Sequence, residues 1–172
     1  MKLRIIIILS FFFLSILKAS AFEDPPFRNI TVHSDPKKYK EITFLDQKKE
    51  TLKLSDFNSK FHILNFWATW CAPCKIEMPS LDELNKIKDF TVYPINLEGE
   101  NTEKIQKFYN SLNIKNLPFY FDEDMNLVKL FSLRGIPTTI ILDKERREIA
   151  RILGEVDFSD EKFITWVNSY YN

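Results

Sequence analysis

The chain has 172 residues, 45% of them apolar and sixteen of them phenylalanine, enough for one domain whose core needs no staples. Its 24 basic and 24 acidic residues balance, which leaves no basic surplus to suggest a nucleic-acid partner. With only two cysteines the chain cannot be a disulfide scaffold.

The first residues have the pattern of a secretory signal: basic Met1-Lys2-Leu3-Arg4, an apolar run from Ile5 to Leu17, then the small residues Ala19-Ser20-Ala21. The run is shorter than the ~20 residues a helical span needs. A signal peptide over residues 1–21 is therefore expected to be cleaved before Phe22; left uncut, it would tether the chain to a membrane. Cleavage deletes Lys2, Arg4 and Lys18 and no acid, leaving 21 basic against 24 acidic residues. Export leads to an oxidising compartment, yet Cys71 and Cys74 are too close in sequence to cross-link distant elements. The pair reads as chemical rather than structural.

Residues 22–38 carry three prolines and no sustained periodicity, so an extended N-terminal arm lying over the domain is expected, with the domain itself spanning 39–172. Tyr39 to Leu45 and Glu50 to Leu54 flank a polar turn and suit a hairpin, with a brief helical turn at Ser55-Asp56. Phe61 to Trp67 is almost wholly apolar, as a strand buried on both faces would be. It runs into the cysteines, after which Met78, Leu81, Leu84 and Ile87 mark a helix that starts at Cys71, is kinked by Pro79 and ends near Lys88.

Phe90 to Leu97 reads as a second buried strand. Ile105, Phe108, Tyr109 and Leu112 then stand at i, i+3, i+4 and i+7 of an amphipathic helix. A short strand within Leu117 to Asp122 and a short helix at Leu127, Leu130 and Phe131 come next. Thr138 to Leu142 and Ile149 to Leu153 form an antiparallel pair around the turn Asp143 to Arg147. A last amphipathic helix carries Phe163, Trp166, Val167 and Tyr170, with Asp160 and Glu161 at its positive end. Strand–helix–strand units followed by a hairpin and helix make an α/β sandwich, with a central mixed sheet and helices on both faces.

Four chemistries compete for the cysteine pair. Zinc needs four ligands, and His33 and His62 are both upstream at no usual ligand spacing. Covalent haem needs histidine directly after the second cysteine, where this chain has Lys75. A copper-binding assembly protein using Cys71, Cys74 and His62 stays open as an alternative.

A redox dithiol needs one nucleophilic thiol and a second one close enough to resolve a mixed disulfide. Cys71, at the start of the helix, faces free N–H groups and the positive end of the dipole, which favour its thiolate; Cys74, one turn deeper, would resolve. Pro73 offers no N–H to the first sulfur, which leaves its thiolate less stabilised and the pair more reducing. The chemistry requires no cofactor and no metal.

Trp67 is expected in the core, while Trp70 is a candidate for an exposed docking surface. Ile136-Pro137 precedes a strand; a cis bond there would leave the Ile136 backbone free to pair with an extended substrate segment.

With these residues in place the chain resembles the thioredoxin superfamily, through "FWATWCAPCK" (66–75), Pro79, and "RGIPTT" (134–139). Within it the chain is most similar to the TlpA/ResA branch of exported thiol-disulfide reductases. The pointers are "TLKLSDF" before the first central strand, "CAPC", "EMPSL" from Glu77, and the segment Asn96 to Asp122. The resemblance implies a thioredoxin-like three-layer sandwich with an N-terminal hairpin and a TlpA-type insertion. It also implies a monomeric protein disulfide reductase of the bacterial periplasm, re-reduced by a membrane electron donor. Its substrates would be protein disulfides such as those of apocytochrome c or of a copper-assembly factor for cytochrome oxidase; a dithiol oxidase or isomerase would share the fold.

Thioredoxin places a buried acid six residues before its first cysteine, where this chain has Asn65, which cannot accept the proton of Cys74. The TlpA/ResA branch places a glutamate near the dithiol from the end of the second central strand, which makes Glu98 and Glu100 the candidates here. Buried beside Cys74, such an acid would have a raised pKa and serve as general base.

Overall fold

A computed structural model describes residues 24–99 and 101–170 of the chain. The expected signal peptide lies outside the described residues, and among these no helix is long and apolar enough to cross a membrane. The strands are β1 (Ile30–Lys38), β2 (Thr43–Leu45), β3 (Thr51–Lys53), β4 (Phe61–Trp67), β5 (Phe90–Asn96), β6 (Tyr120–Phe121), β7 (Thr138–Asp143) and β8 (Arg147–Leu153). The helices are α1 (Ala72–Leu84), α2 (Thr102–Ser111), α3 (Asn126–Leu130) and α4 (Glu161–Ser169).

The strands build one mixed eight-stranded sheet in the order β1-β8-β7-β4-β5-β6-β2-β3. Every residue of β4 is buried, because β4 runs centrally, parallel to β5 and antiparallel to β7, with side chains packed on both faces. Phe61, Ile63 and Trp67 join a cluster with Met78, Leu81 and Leu84 of α1, Ile105 and Tyr109 of α2, and Phe163 and Trp166 of α4. Leu64 and Phe66 join the opposite cluster, with Phe44, Tyr93, Leu127 and Phe131. The three layers and helices on both faces are those of a thioredoxin-like sandwich, and β2 and β3 form the expected hairpin.

Two elements differ from their expected form. Residues 30–38, within the expected arm, are the edge strand β1, paired antiparallel with β8 across a bulge between Val32 and Lys37. An edge strand tolerates Pro36, whose missing N–H no neighbour needs. The contact is fastened by Glu148 of β8, a buried carboxylate that accepts from the Tyr39 hydroxyl and pairs with Arg151 at 2.8 Å and His33 at 3.0 Å.

The helix after the cysteines stops at Leu84, short of the expected Lys88. Asn85 takes over there, with its Oδ1 accepting from the Val92 N–H at 2.9 Å and its Nδ2 donating to the Asn116 carbonyl at 3.1 Å.

Candidate redox site

The C-terminal end of β4 delivers the chain, through Ala68, Thr69 and Trp70, to the first turn of α1. Cys71 is the N-cap, with extended backbone, and Pro73 stands in the first turn, where its fixed φ suits a helix start and its missing N–H costs no helical bond. Cys71 and Cys74 are joined as a disulfide with sulfurs 2.04 Å apart. The Cys74 backbone N–H points at the Cys71 sulfur at 3.3 Å. Cys71 is 4% exposed and Cys74 fully buried, so the outer sulfur is the one an incoming group can reach.

Four of the other predicted site residues, Trp70, Pro73, Ile136 and Pro137, lie in the segments around this point. Thr138 of β7 stands opposite Phe66 of β4, which brings the preceding Ile136-Pro137 beside the end of the strand that leads to Cys71. That peptide is cis, as expected. Pro137 is buried and Ile136 half-buried, and the Pro137 carbonyl accepts from the Gly154 N–H at 2.9 Å, which ties in the loop after β8. Trp67 is core, packed on Phe108 and Tyr109, whereas Trp70 is 68% exposed next to the disulfide. Pro73 is half-buried between the cysteines.

Of the two glutamates to which the resemblance pointed, only Glu98 is among the described residues. Glu98 accepts from the Thr69 backbone N–H, from the Thr69 hydroxyl at 3.0 Å and from Lys104. Burial alone would raise its pKa, but Lys104 and Thr69 outweigh it and hold the carboxyl below its ordinary value. Glu98 is thus an ionised brace for the loop entering the dithiol, and the expectation of a raised pKa there is corrected. Glu100 lies outside the described residues.

The buried acid of the site is Glu77, three residues after Cys74 on α1 and 1% exposed. Its Oε1 accepts from Asn65 Nδ2 at 2.7 Å, and Oε2 has no hydrogen bond of ordinary geometry. Burial pushes its pKa up to about 8, with the charge of Glu155 adding; the Asn65 amide and the Val156 N–H pull the other way. Asn65 also donates to Thr139 at 2.9 Å, so its amide is fixed across β4 and β7. The sequence carried one signal for this residue: Glu77 stands on the apolar stripe between Cys74 and Leu81, where a solvated acid would not belong.

A copper site on His62 finds no geometric support. His62 sits near the start of β4, five residues before Trp67, so a strand rise of ~3.3 Å per residue puts it about 16 Å from the end that carries the cysteines. Its ring is buried, its Nδ1 lies 3.0 Å from the Tyr93 hydroxyl, and burial lowers its pKa to about 4. No cluster of three or more metal-ligating side chains occurs among the described residues.

Comparison with known proteins agrees with this geometry. Residues 36–150 match the model of the AhpC/TSA family. The thiol-disulfide oxidoreductase ResA of Bacillus cereus is 34% identical over 116 residues, a match covering 66% of this chain and 65% of the relative's length. Among solved structures, a DsbF homologue from Corynebacterium diphtheriae superposes with a TM-score of 0.68 at 28% identity, covering 86% of this chain and 97% of that one. A secreted thiol-disulfide isomerase from Corynebacterium glutamicum gives the same TM-score at 26% identity, over 86% and 96% of the two chains. The chain therefore belongs to the AhpC/TSA family, in a thioredoxin-like fold that sets Cys71 and Cys74 at the head of its first long helix.

Proposed function

We propose that the protein is an exported thiol-disulfide oxidoreductase that reduces disulfides of other proteins. The observation that carries this reading is the Cys71–Cys74 disulfide at the helix start, its outer sulfur at the N-cap and its inner sulfur buried. The names of the relatives support the reaction class.

In the reducing direction, Cys71 of the dithiol attacks one sulfur of a substrate disulfide. A mixed disulfide forms and one substrate thiolate leaves. Cys74, having given up its proton, attacks the Cys71 sulfur, forms the Cys71–Cys74 bond and releases the second substrate thiolate. Two electrons have passed to the substrate, and a dithiol donor at the membrane restores the pair by the same exchange in reverse.

The helix start favours the Cys71 thiolate through the dipole and the Cys74 N–H. Pro73 offers no second N–H, which limits that stabilisation and keeps the pair reducing. Glu77 stands one turn from Cys74, and with a pKa near that of a thiol it suits the role of accepting the Cys74 proton. Trp70 and the Ile136-Pro137 loop flank the outer sulfur as the surface on which an extended substrate segment lies.

Apocytochrome c cysteines and a copper-assembly factor both fit as substrates of this chemistry. Trapping tests the reading: a Cys74→Ser variant is expected to stall as a mixed disulfide through Cys71 with its protein substrate. Equilibration of the wild-type pair with glutathione fixes the direction. A potential near −120 mV, the value of a strong oxidant, would make the protein an oxidase.

A further inference from the structure

A groove of about 630 Å³ lies between α1, the helix that carries the dithiol at its start, and the loop after β8. Its apolar lining is Ile76, 70% exposed, with Pro79, Phe27 and Val156. Its rim is acidic, from Glu83, Glu155 and Asp157, and no lysine, arginine or histidine lines it. Glu83 is paired with Lys86 at 2.6 Å. The Asp157 carboxylate accepts from the Ser159 N–H and hydroxyl, and neither Glu155 nor Asp157 has a cationic partner among the described residues.

The groove is placed to meet whatever binds at the dithiol. Ile76 and Pro79 lie five and eight residues beyond Cys71, the sulfur a substrate reaches, which is about 8 to 12 Å along the helix. The loop carrying Glu155 is tied to Pro137 through the Gly154 N–H. An extended chain advancing ~3.3 Å per residue spans that distance in roughly two to four residues.

We propose that this groove docks the segment of the protein substrate adjoining its reactive cysteine, and that it selects a lysine or arginine two to four residues away, seated against Glu155 and Asp157 with a neighbouring apolar side chain on Ile76 and Pro79. The proposal rests on the dithiol reading above and names its substrate class. Charge complementarity decides the occupant: the unpaired carboxylates attract a cationic segment and repel an acidic one or an anionic lipid surface. The rim is also coupled to the buried acid, because the charge of Glu155 is among the causes that raise the pKa of Glu77. A substrate cation at Glu155 offsets that charge, which lowers the Glu77 pKa and leaves more of its carboxyl ionised near neutral pH.

Two disulfide-bonded peptides test this, identical except for lysine or glutamate three residues from the cysteine. With the reduced protein at low ionic strength, kcat/KM is expected to favour the lysine peptide by roughly fivefold to tenfold, with the preference shrinking in 0.5 M salt. In a Glu155→Gln/Asp157→Asn variant the ratio is expected to fall below about twofold. Because the ratio is taken within each variant, a general change in dithiol reactivity cancels.

Equal rates on the two peptides, or a preference that survives in the double variant, overturn the proposal. A binding isotherm of the oxidised protein with cysteine-free versions of the peptides reads docking without chemistry, and the same order of affinity is expected. Hydroxyethyl disulfide, small and uncharged, reports on the dithiol itself. No turnover of it by the wild-type protein overturns the redox reading, whereas turnover with no peptide preference overturns the docking alone.

Discussion

Asn65 of β4 holds Glu77 of α1 through a hydrogen bond of 2.7 Å between Nδ2 and Oε1, wholly inside the layer between strand and helix. The strand position that carries an acid in thioredoxin carries an amide here. A buried carboxyl still stands one turn from Cys74, on the helix instead of the strand. Its pKa, about 8, follows from that burial.

Stability should reveal this carboxyl. Burial lifts the Glu77 pKa from 4.5 to about 8, so between those values the folded chain keeps a proton that the unfolded chain has lost. Stability attributable to Glu77 therefore falls as pH rises through that window, by up to about 1.4 kcal/mol per pH unit. Urea unfolding at pH 5 and pH 8 should show the fall in the wild type and a shallower one in Glu77→Gln, with the variant gaining on the wild type at the higher pH.

Kinetics should separate the two sulfurs. If Glu77 accepts the Cys74 proton, Glu77→Gln slows release of the mixed disulfide by about 10²-fold near pH 7 and leaves its formation by Cys71 much less affected. Stopped-flow quenching distinguishes the two phases. An equal slowing of both would assign Glu77 a role in holding α1 and not in proton transfer.

Glu98 should behave as a brace. Glu98→Gln loses the charge that Thr69 and Lys104 share and is expected to cost about 1–2 kcal/mol. Because its pKa is held below 4.5, the charged form's contribution is present at neutral pH and disappears as pH falls below that value. Hydrogen exchange at the Thr69 amide reads the effect locally, and faster exchange is expected in the variant.

How far the sequence revealed this arrangement depended on how local each signal was. Phe61 to Trp67 was legible to the residue, because a strand buried on both faces leaves an unbroken apolar run. The dithiol and cis Pro137 were legible because short motifs carry them. β1 was not, since only Ile30 of its nine residues is buried and Asp35-Pro36 interrupts it; pairing with β8, a tertiary event, makes it a strand. Glu77 was hidden in a similar way. Its meaning depends on Asn65 across the layer, a residue twelve positions away whose own position in the sequence shows only an amide where thioredoxin has an acid.

His62 should stay neutral well below the usual range for histidine. Burial lowers its pKa to about 4, with Arg146 adding to the effect, so NMR should show the ring uncharged at pH 5. The unfolded chain takes up a proton here between about 6.5 and 4 that the folded chain refuses, and stability falls as pH drops through that window. Copper affinity of the reduced protein, in turn, should be indifferent to His62→Ala.

The most direct measurement is the rate of iodoacetamide alkylation of Cys71 in the reduced protein across a pH series. A thiolate favoured by the helix start should give a titration midpoint well below the ~8.5 of a free cysteine, with Cys74 reacting far more slowly. A midpoint at or above that value, or equal reactivity of the two sulfurs, would contradict the account.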